Sequence, residues 1–341
     1  MPEHVPPNSP RAALELLAAD PMPKDPAMVK RQRMARVVEL GIVIAFVVLL
    51  LIGVTTVSGF TSTQNLRAVL TDSAFLGIVA VGMTFVVISG NYIDLSVVAQ
   101  IATSAVIVTV LETHGLVLAI GVAVLVNLAF AAANGLGVGI MKANGVVVTL
   151  AVETAGIGLL EHFTQGAQYT GKSSVLQSVA TASAGPIPLV FMILLLVAAI
   201  GQAVLSRTNV GLSIRSVGSR RDAARAAGVR TARSVFAAFA ISSVCCAIVG
   251  ILLAGFNNNA LPSMGQGFDF NALAAVIIGG TSLFGGRGSV LHTIVGVLFI
   301  EVLLNMLVIA GLPFEWQQFV KGLIIVAAVA GDALLRRRGL R

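Results

Sequence analysis

Seven polar residues sit inside long apolar runs: Asp72, Asn127, Asn134, Glu153, Glu161, Glu301 and Asn305. A charge held at mid-membrane costs roughly 2.5–3.5 kcal/mol on insertion scales, so such a side chain usually faces a cavity or a partner. Glu153 and Glu301 are therefore candidates for lining a path between helices. The plainer reading is that Asp72 and Glu161 lie near the ends of their runs, where a charge is cheap, and that asparagines bond one helix to another. Catalytic or metal chemistry finds little support. Cys245 and Cys246 are adjacent within an apolar run, a poor geometry for a structural disulfide, and two lone thiols have no metal-ligand spacing. They read as small packing residues. His4, His114, His162 and His292 are scattered, with no paired nucleophile and base, so no enzyme activity is expected.

One motif invites a nucleotide reading. Gly166-Ala-Gln-Tyr-Thr-Gly171-Lys172-Ser173 matches G-x-x-x-x-G-K-[ST]. That motif works when a strand precedes it and a helix follows, so that backbone N–H groups cradle phosphates. Here it follows a candidate membrane helix and precedes a Ser/Thr/Ala/Gly-rich stretch ending at Pro186. It reads as a chance match. No cofactor is expected on this chain, and any energy from ATP would come from another chain.

The elements that must position these residues follow from composition. Of 341 residues, 57% are hydrophobic and only 11% charged, against about 25% charged in soluble domains. The mean hydropathy is +0.95. The solvent for this surface must be lipid, and the fold class is all-α integral membrane. The 35 glycines favour close helix packing, which drives association where water does not. About 20 apolar residues span the hydrocarbon core. That ruler predicts about ten helices, over 38–57, 67–89, 95–112, 116–138, 146–163, 187–205, 234–255, 271–284, 289–310 and 316–335. The span 271–284 is short and reads as tilted, broken or re-entrant.

Charge sets the expected orientation. With the N-terminus in the cytoplasm, nearly all of the 22 Lys and Arg fall on the cytoplasmic side; Arg67, Lys172 and Lys321 are the exceptions. The positive-inside rule thus predicts that both termini are cytoplasmic, and it accounts for the net +7 without nucleic acid. Residues 1–36 are polar and proline-rich and read as a disordered cytoplasmic tail. The apolar run from Leu40 to Val57 is too long for the core of a secretory signal. Residues 37–335 form the membrane domain, 206–233 a cytoplasmic loop, and 336–341 a basic tail.

Three segments on the cytoplasmic side interrupt the apolar pattern. In the 206–233 loop, Ser219 to Ala227 favour a short helix, with Ser219 as cap and Gly228 as stop. Its small residues, Ala223, Ala224, Ala227 and Gly228, would suit insertion into a partner's cleft. Arginines 220, 221 and 225 would sit at the rim. The plain alternative is a solvated basic loop. The other two segments are breaks between helices: Gly82 to Ser96, ending Gly90-Asn-Tyr-Ile-Asp94-Leu-Ser96, and Ile278 to Ser289, containing Gly285-Gly286-Arg287-Gly288. Their similarity hints at an internal duplication, as in many transporters.

Taken in order, these segments resemble the sugar-type permeases of ATP-binding-cassette (ABC) importers: the ribose, arabinose, xylose and galactose systems and their autoinducer-2 relatives. The resemblance covers about residues 60 to 335. It rests on Gly82-Met-Thr-Phe, Ile93-Asp94-Leu95-Ser96-Val97, Asn134-Gly135, Thr149-Leu150, the loop from Arg207 to Gly228, Ala274 to Leu283 with Gly285-Gly286-Arg287-Gly288-Ser289, Trp316-Gln317 and Val320-Lys321-Gly322. The chain departs from the family at Asn91 and Tyr92, where paired glycines are usual, and at Val98, near which another glycine is common.

The resemblance implies a type II ABC importer-like bundle in the bacterial inner membrane. Two permease copies or paralogues would enclose the path. A cytoplasmic ATPase, holding ATP and Mg, would dock at Arg220, Arg221, Asp222, Ala223, Ala224, Arg225 and Gly228. A periplasmic binding protein would deliver a monosaccharide or related polar solute. Asp94, Ser96, Gly285, Gly286 and Arg287 would be hinges or helix caps, with Asn134, Glu153, Glu301 and Asn305 along the pathway. The rival reading is an ion-coupled secondary transporter, which would titrate a buried carboxylate such as Glu153 or Glu301.

Overall fold

The computed structural model describes residues 26–90 and 92–337. The chain is mostly helical. In order, the helices are α1 (Pro26–Thr56), α2 (Thr63–Gly90), α3 (Val97–Leu111), α4 (Leu116–Asn134, extended by a π-helical segment Gly135–Ile140), α5 (Gly145–Thr164), α6 (Ser174–Thr181), α7 (Leu189–Arg207), α8 (Asn209–Ser219), α9 (Arg221–Ala226), α10 (Thr231–Asn257), α11 (Phe268–Ile278), α12 (Val290–Ile309) and α13 (Phe314–Arg337).

A helix occupies each of the ten segments expected to cross the membrane. Among the described residues, seven helices are long and apolar enough to do so: α2, α3 together with the 3-10 turn Glu112–His114 that extends it, α4, α5, α7, α10 and α12. The apolar part of α1 (Gly41–Thr56) and α11 are shorter. α11 stops at Ile278 rather than near residue 284. Gly280 adopts a left-handed backbone (φ +80°), and the chain at Gly279 passes against Thr293 of α12, where a Cβ would lie 2.7 Å from the Thr293 Cα. At the N-terminal end, α1 already begins at Pro26, so residues 26–36 are helical rather than disordered. Proline is well suited to a first helical turn, and Ala, Met, Lys, Gln and Arg favour continuation. The rest of the expected tail, residues 1–25, and residues 338–341 lie outside the described residues.

Two helices carry the core. α2 is buried continuously from Ser73 to Ser89, and α10 packs against α2, α3 and α4. Glycines bring these backbones together. A Cβ at Gly82 of α2 would lie 2.7 Å from the Ser242 Cα of α10, and Gly250 of α10 faces the Ile101 carbonyl of α3 directly. Cys245 and Cys246 are free thiols buried at this seam.

Two pairs of very short strands tie the connections. β1 (Tyr169–Thr170) pairs antiparallel with β4 (Asn259–Ala260), and β2 (Ser183–Ala184) with β3 (Ile187–Pro188). The phosphate-loop-like stretch Gly166–Ser173 runs through β1. Its Gly171 N–H donates to the Asn258 carbonyl (2.9 Å), and its Ser173 hydroxyl caps α6 by accepting from the Leu176 N–H (3.1 Å).

Candidate functional site

The 206–233 loop folds into two helices rather than the single one expected. α8 is capped by Thr208, whose hydroxyl accepts from the Gly211 N–H at 3.3 Å. It buries Gly211, Ile214 and Val217 against the bundle. Ser219 therefore ends α8 instead of opening the next helix. Arg220, in extended conformation, occupies the N-cap position of α9. The expected stop is present: Gly228 is left-handed (φ +82°) and donates to the Arg225 carbonyl at 3.0 Å.

The seven candidate coupling residues divide by face. Arg220, Asp222, Ala223, Arg225 and Gly228 are exposed, as is Ala227. Ala224 is buried within its own chain and Arg221 points inward. So Ala224 and Arg221 hold the loop to the bundle, and the other five form the free surface.

The loop meets both chain breaks. The end of α8 at Gly218 presses directly on the Ile88 carbonyl at the end of α2, and a Cβ there would lie 2.6 Å from the Gly286 nitrogen. Gly286 in turn donates its N–H to the Ile88 carbonyl at 2.8 Å. Gly285 and Gly286 are both left-handed (φ +82° and +76°), and Gly286 lies against the Ser219 backbone. A side chain at either glycine would be strained by its backbone and would push α8 away. Two arginines add clamps. Arg215 donates to the Gly288 carbonyl at 3.2 Å. Arg221 donates to the Tyr92 hydroxyl at 2.9 Å and to the Gly139 carbonyl at 3.0 Å. Arg287 is exposed beside this junction.

Behind Tyr92 lies a buried polar knot. Asp94 is fully buried and receives hydrogen bonds from Ser96 (2.5 Å), Ser242 (3.0 Å), Gln100 (3.5 Å) and Asn134 (3.5 Å). Ser96 also accepts from Gln100 and Asn134, each at 2.8 Å. The knot joins the break after α2 to α3, α4 and α10. Ser96 stands at the N-cap position of α3 but makes no capping bond; its hydroxyl is spent on Asp94. Asp94, Ser96 and Asn134 stand out in the sequence; Gln100 and Ser242 do not, being uncharged side chains inside helices that carry no signal of their own. Among the described residues, no side-chain knot of this kind centres on the second break. Ser289 opens α12 without a capping bond, and the cap comes from α7, whose Gln202 carbonyl oxygen accepts from the Val290 N–H at 3.1 Å.

The remaining candidates lie elsewhere. Asn305 of α12 forms a reciprocal amide pair with Asn65 of α2, at 3.0 and 2.7 Å. Asn127 bonds to Ser104 and to the Ala123 carbonyl. Asp72 and Glu161 are exposed, while Glu153 and Glu301 are half-buried. Glu301 is within electrostatic reach of Asp72 and Lys321, Lys321 of Asp269, and Asp269 of Glu153. Five helices thus contribute one ionisable group each to a mixed-charge region. Asp269 and the carboxylate neighbours of Lys321 are not evident in the sequence, because both residues sit near the start of an apolar run.

The matching of this scaffold to known proteins decides what it is. Residues 65–329 match the family described as branched-chain amino acid transport system / permease component. The chain belongs to this family. The permease is 31% identical over 322 residues to a probable ABC transporter permease protein of Escherichia coli, covering 93% of this chain and 96% of that one. It is 31% identical over 293 residues to a ribose import permease protein of Bacillus subtilis, covering 84% and 90%. An autoinducer 2 import system permease protein of an Enterobacter species is 31% identical over 302 residues, covering 88% of each. No solved structure matches the permease. The permease is thus a multi-pass inner-membrane component of an ABC importer, with transport rather than catalysis as its role.

Proposed function

We propose that this permease carries a monosaccharide or a related small polar solute inward, and that its 206–233 loop receives the motion of a separate ATPase. The observation that carries the reading is the junction at Gly218, Gly286 and Ile88. One loop touches both breaks at once, so displacing it must move the ends of α2 and α12 together. The exposed set Arg220, Asp222, Ala223, Arg225 and Gly228 forms the docking face. Its small residues fit a cleft and its arginines reach carboxylates at the rim.

All ten helical segments cross the membrane in this reading, with both termini in the cytoplasm. α11 and the apolar part of α1 span with help from neighbouring protein, which tolerates short or irregular segments. Two permeases, identical or paralogous, enclose the path. A periplasmic binding protein delivers the solute, and the relatives' ribose and autoinducer-2 cargoes favour a sugar-like substrate. Glu153, Asp269, Glu301 and Lys321 line the outer half of the path, where carboxylates and an ammonium can bond hydroxyl groups in turn. Asp94, Ser96 and Asn134 hold the inner gate, and the Gly285–Arg287 turn is its hinge.

The test is capture of the tagged permease from native membranes in mild detergent, with partners identified by mass spectrometry. Recovery of an ATPase with its own phosphate-binding loops supports the reading. Recovery of the permease alone would count against it and favour ion-coupled transport.

A further inference from the structure

We propose that Tyr92 is a positioning residue that transmits loop movement to the membrane helices, acting as a latch through Arg221. The inference rests on the coupling role given above to the 206–233 loop. Arg221 is the first residue of α9, and its guanidinium grips two unconnected elements: the Tyr92 hydroxyl in the first break and the Gly139 carbonyl in the π-helical end of α4. Gly139 lies in the last turn of this segment, where carbonyls have no partner further along the helix and can accept from outside. The Tyr92 ring in turn fills the space over two glycines. A Cβ at Gly90, the end of α2, would lie 2.8 Å from the ring, and one at Gly145, the start of α5, 2.9 Å. The residue after Tyr92 is also held from α5, since the Thr149 hydroxyl donates to the Ile93 carbonyl at 3.0 Å. One residue further is Asp94, the centre of the polar knot.

A pull on α9 therefore reaches α4 through Gly139, α2 and α5 through the Tyr92 ring, and α3 and α10 through Asp94. No other side chain of α9 has a hydrogen bond to the membrane helices among the described residues. The hydroxyl transmits the pull and the ring only fills space, so Tyr92→Phe separates the two.

The test uses the full chain in nanodiscs with spin labels at Ala226→Cys on α9 and Val147→Cys on α5, both exposed positions. The native cysteines are buried and stay in place. The permease alone should give one narrow distance distribution. Tyr92→Phe should raise the population of longer distances about tenfold, the size of losing one hydrogen bond to a charged group. Arg221→Gln, which also loses the Gly139 bond, should do at least as much, and the double variant no more than Arg221→Gln alone. An unchanged distribution in Tyr92→Phe, or additive single effects, overturns the latch. In the ATPase complex, ADP with vanadate should shift the Val147 label relative to one at Leu195→Cys of α7 in the unsubstituted chain, and should shift it far less in Tyr92→Phe; equal shifts overturn the transmission role. Failure to capture any ATPase would sink the coupling reading instead, and the measurement on the permease alone still decides whether the latch exists.

Discussion

Among the described residues, Asp94 has four side-chain donors and no cation among its hydrogen-bond partners, an exacting arrangement for a buried carboxylate. Replacing it by asparagine turns one acceptor oxygen into a donor facing other donors. Each buried donor left without a partner costs about 1–3 kcal/mol, so Asp94→Asn should lower the thermal unfolding midpoint by several degrees in detergent. Ser242→Ala removes a single bond and should cost about 1 kcal/mol, a clearly smaller drop in the same melt. A midpoint unchanged in Asp94→Asn would mean that the carboxylate is not what holds the knot. At this scale the sequence is partly legible. Asp94, Ser96 and Asn134 stand out because polar residues in apolar runs are costly. Gln100 and Ser242 do not, since an uncharged side chain in a helix gives no sign of its partner until the helices are packed. Asn305 illustrates the same limit: the sequence offers it as a donor, and only packing reveals its partner, Asn65.

Helix ends are set by glycine, and here the sequence is more informative. Gly228, Gly280, Gly285 and Gly286 lie at or near predicted ends and all have positive φ. The helix expected at Ser219–Ala227 forms as α9 with its stop at Gly228, and only its start differs, for a tertiary reason. Ser219 has the chemistry of a cap, but Ile214 and Val217 draw α8 onto the bundle and extend it through that serine. Two substitutions test the element contacts. Gly286→Ala strains a left-handed residue and collides with Ser219; the expected outcome is normal membrane insertion with nucleotide-driven motion reduced severalfold, measured by spin-label distances between α8 and α12. Gly250→Val places a branched side chain against the Ile101 carbonyl. Overpacking of this kind costs about 1–3 kcal/mol or more, and the expected result is a marked fall in the amount of folded protein recovered, measured by size-exclusion chromatography in detergent. Wild-type recovery would show that the α3–α10 crossing has slack.

At the scale of the whole molecule, the positions of the helices were legible from hydropathy because lipid imposes one length on every crossing. Assembly was not. The meeting of the 206–233 loop with both breaks joins segments from three distant parts of the chain, and no local pattern records that they touch. The consequence is a bundle in which one exposed helix, α9, is mechanically continuous with its centre. We place it in the cytoplasm from the basic residues around it, and we propose its exposed face as the ATPase contact. Both are tested together by placing a photo-crosslinking amino acid at position 225 in living cells. The expected result is a crosslink to an ATPase, with the same position as cysteine shielded from a membrane-impermeant thiol reagent added outside. Labelling of that cysteine from outside, with no ATPase adduct, would contradict it.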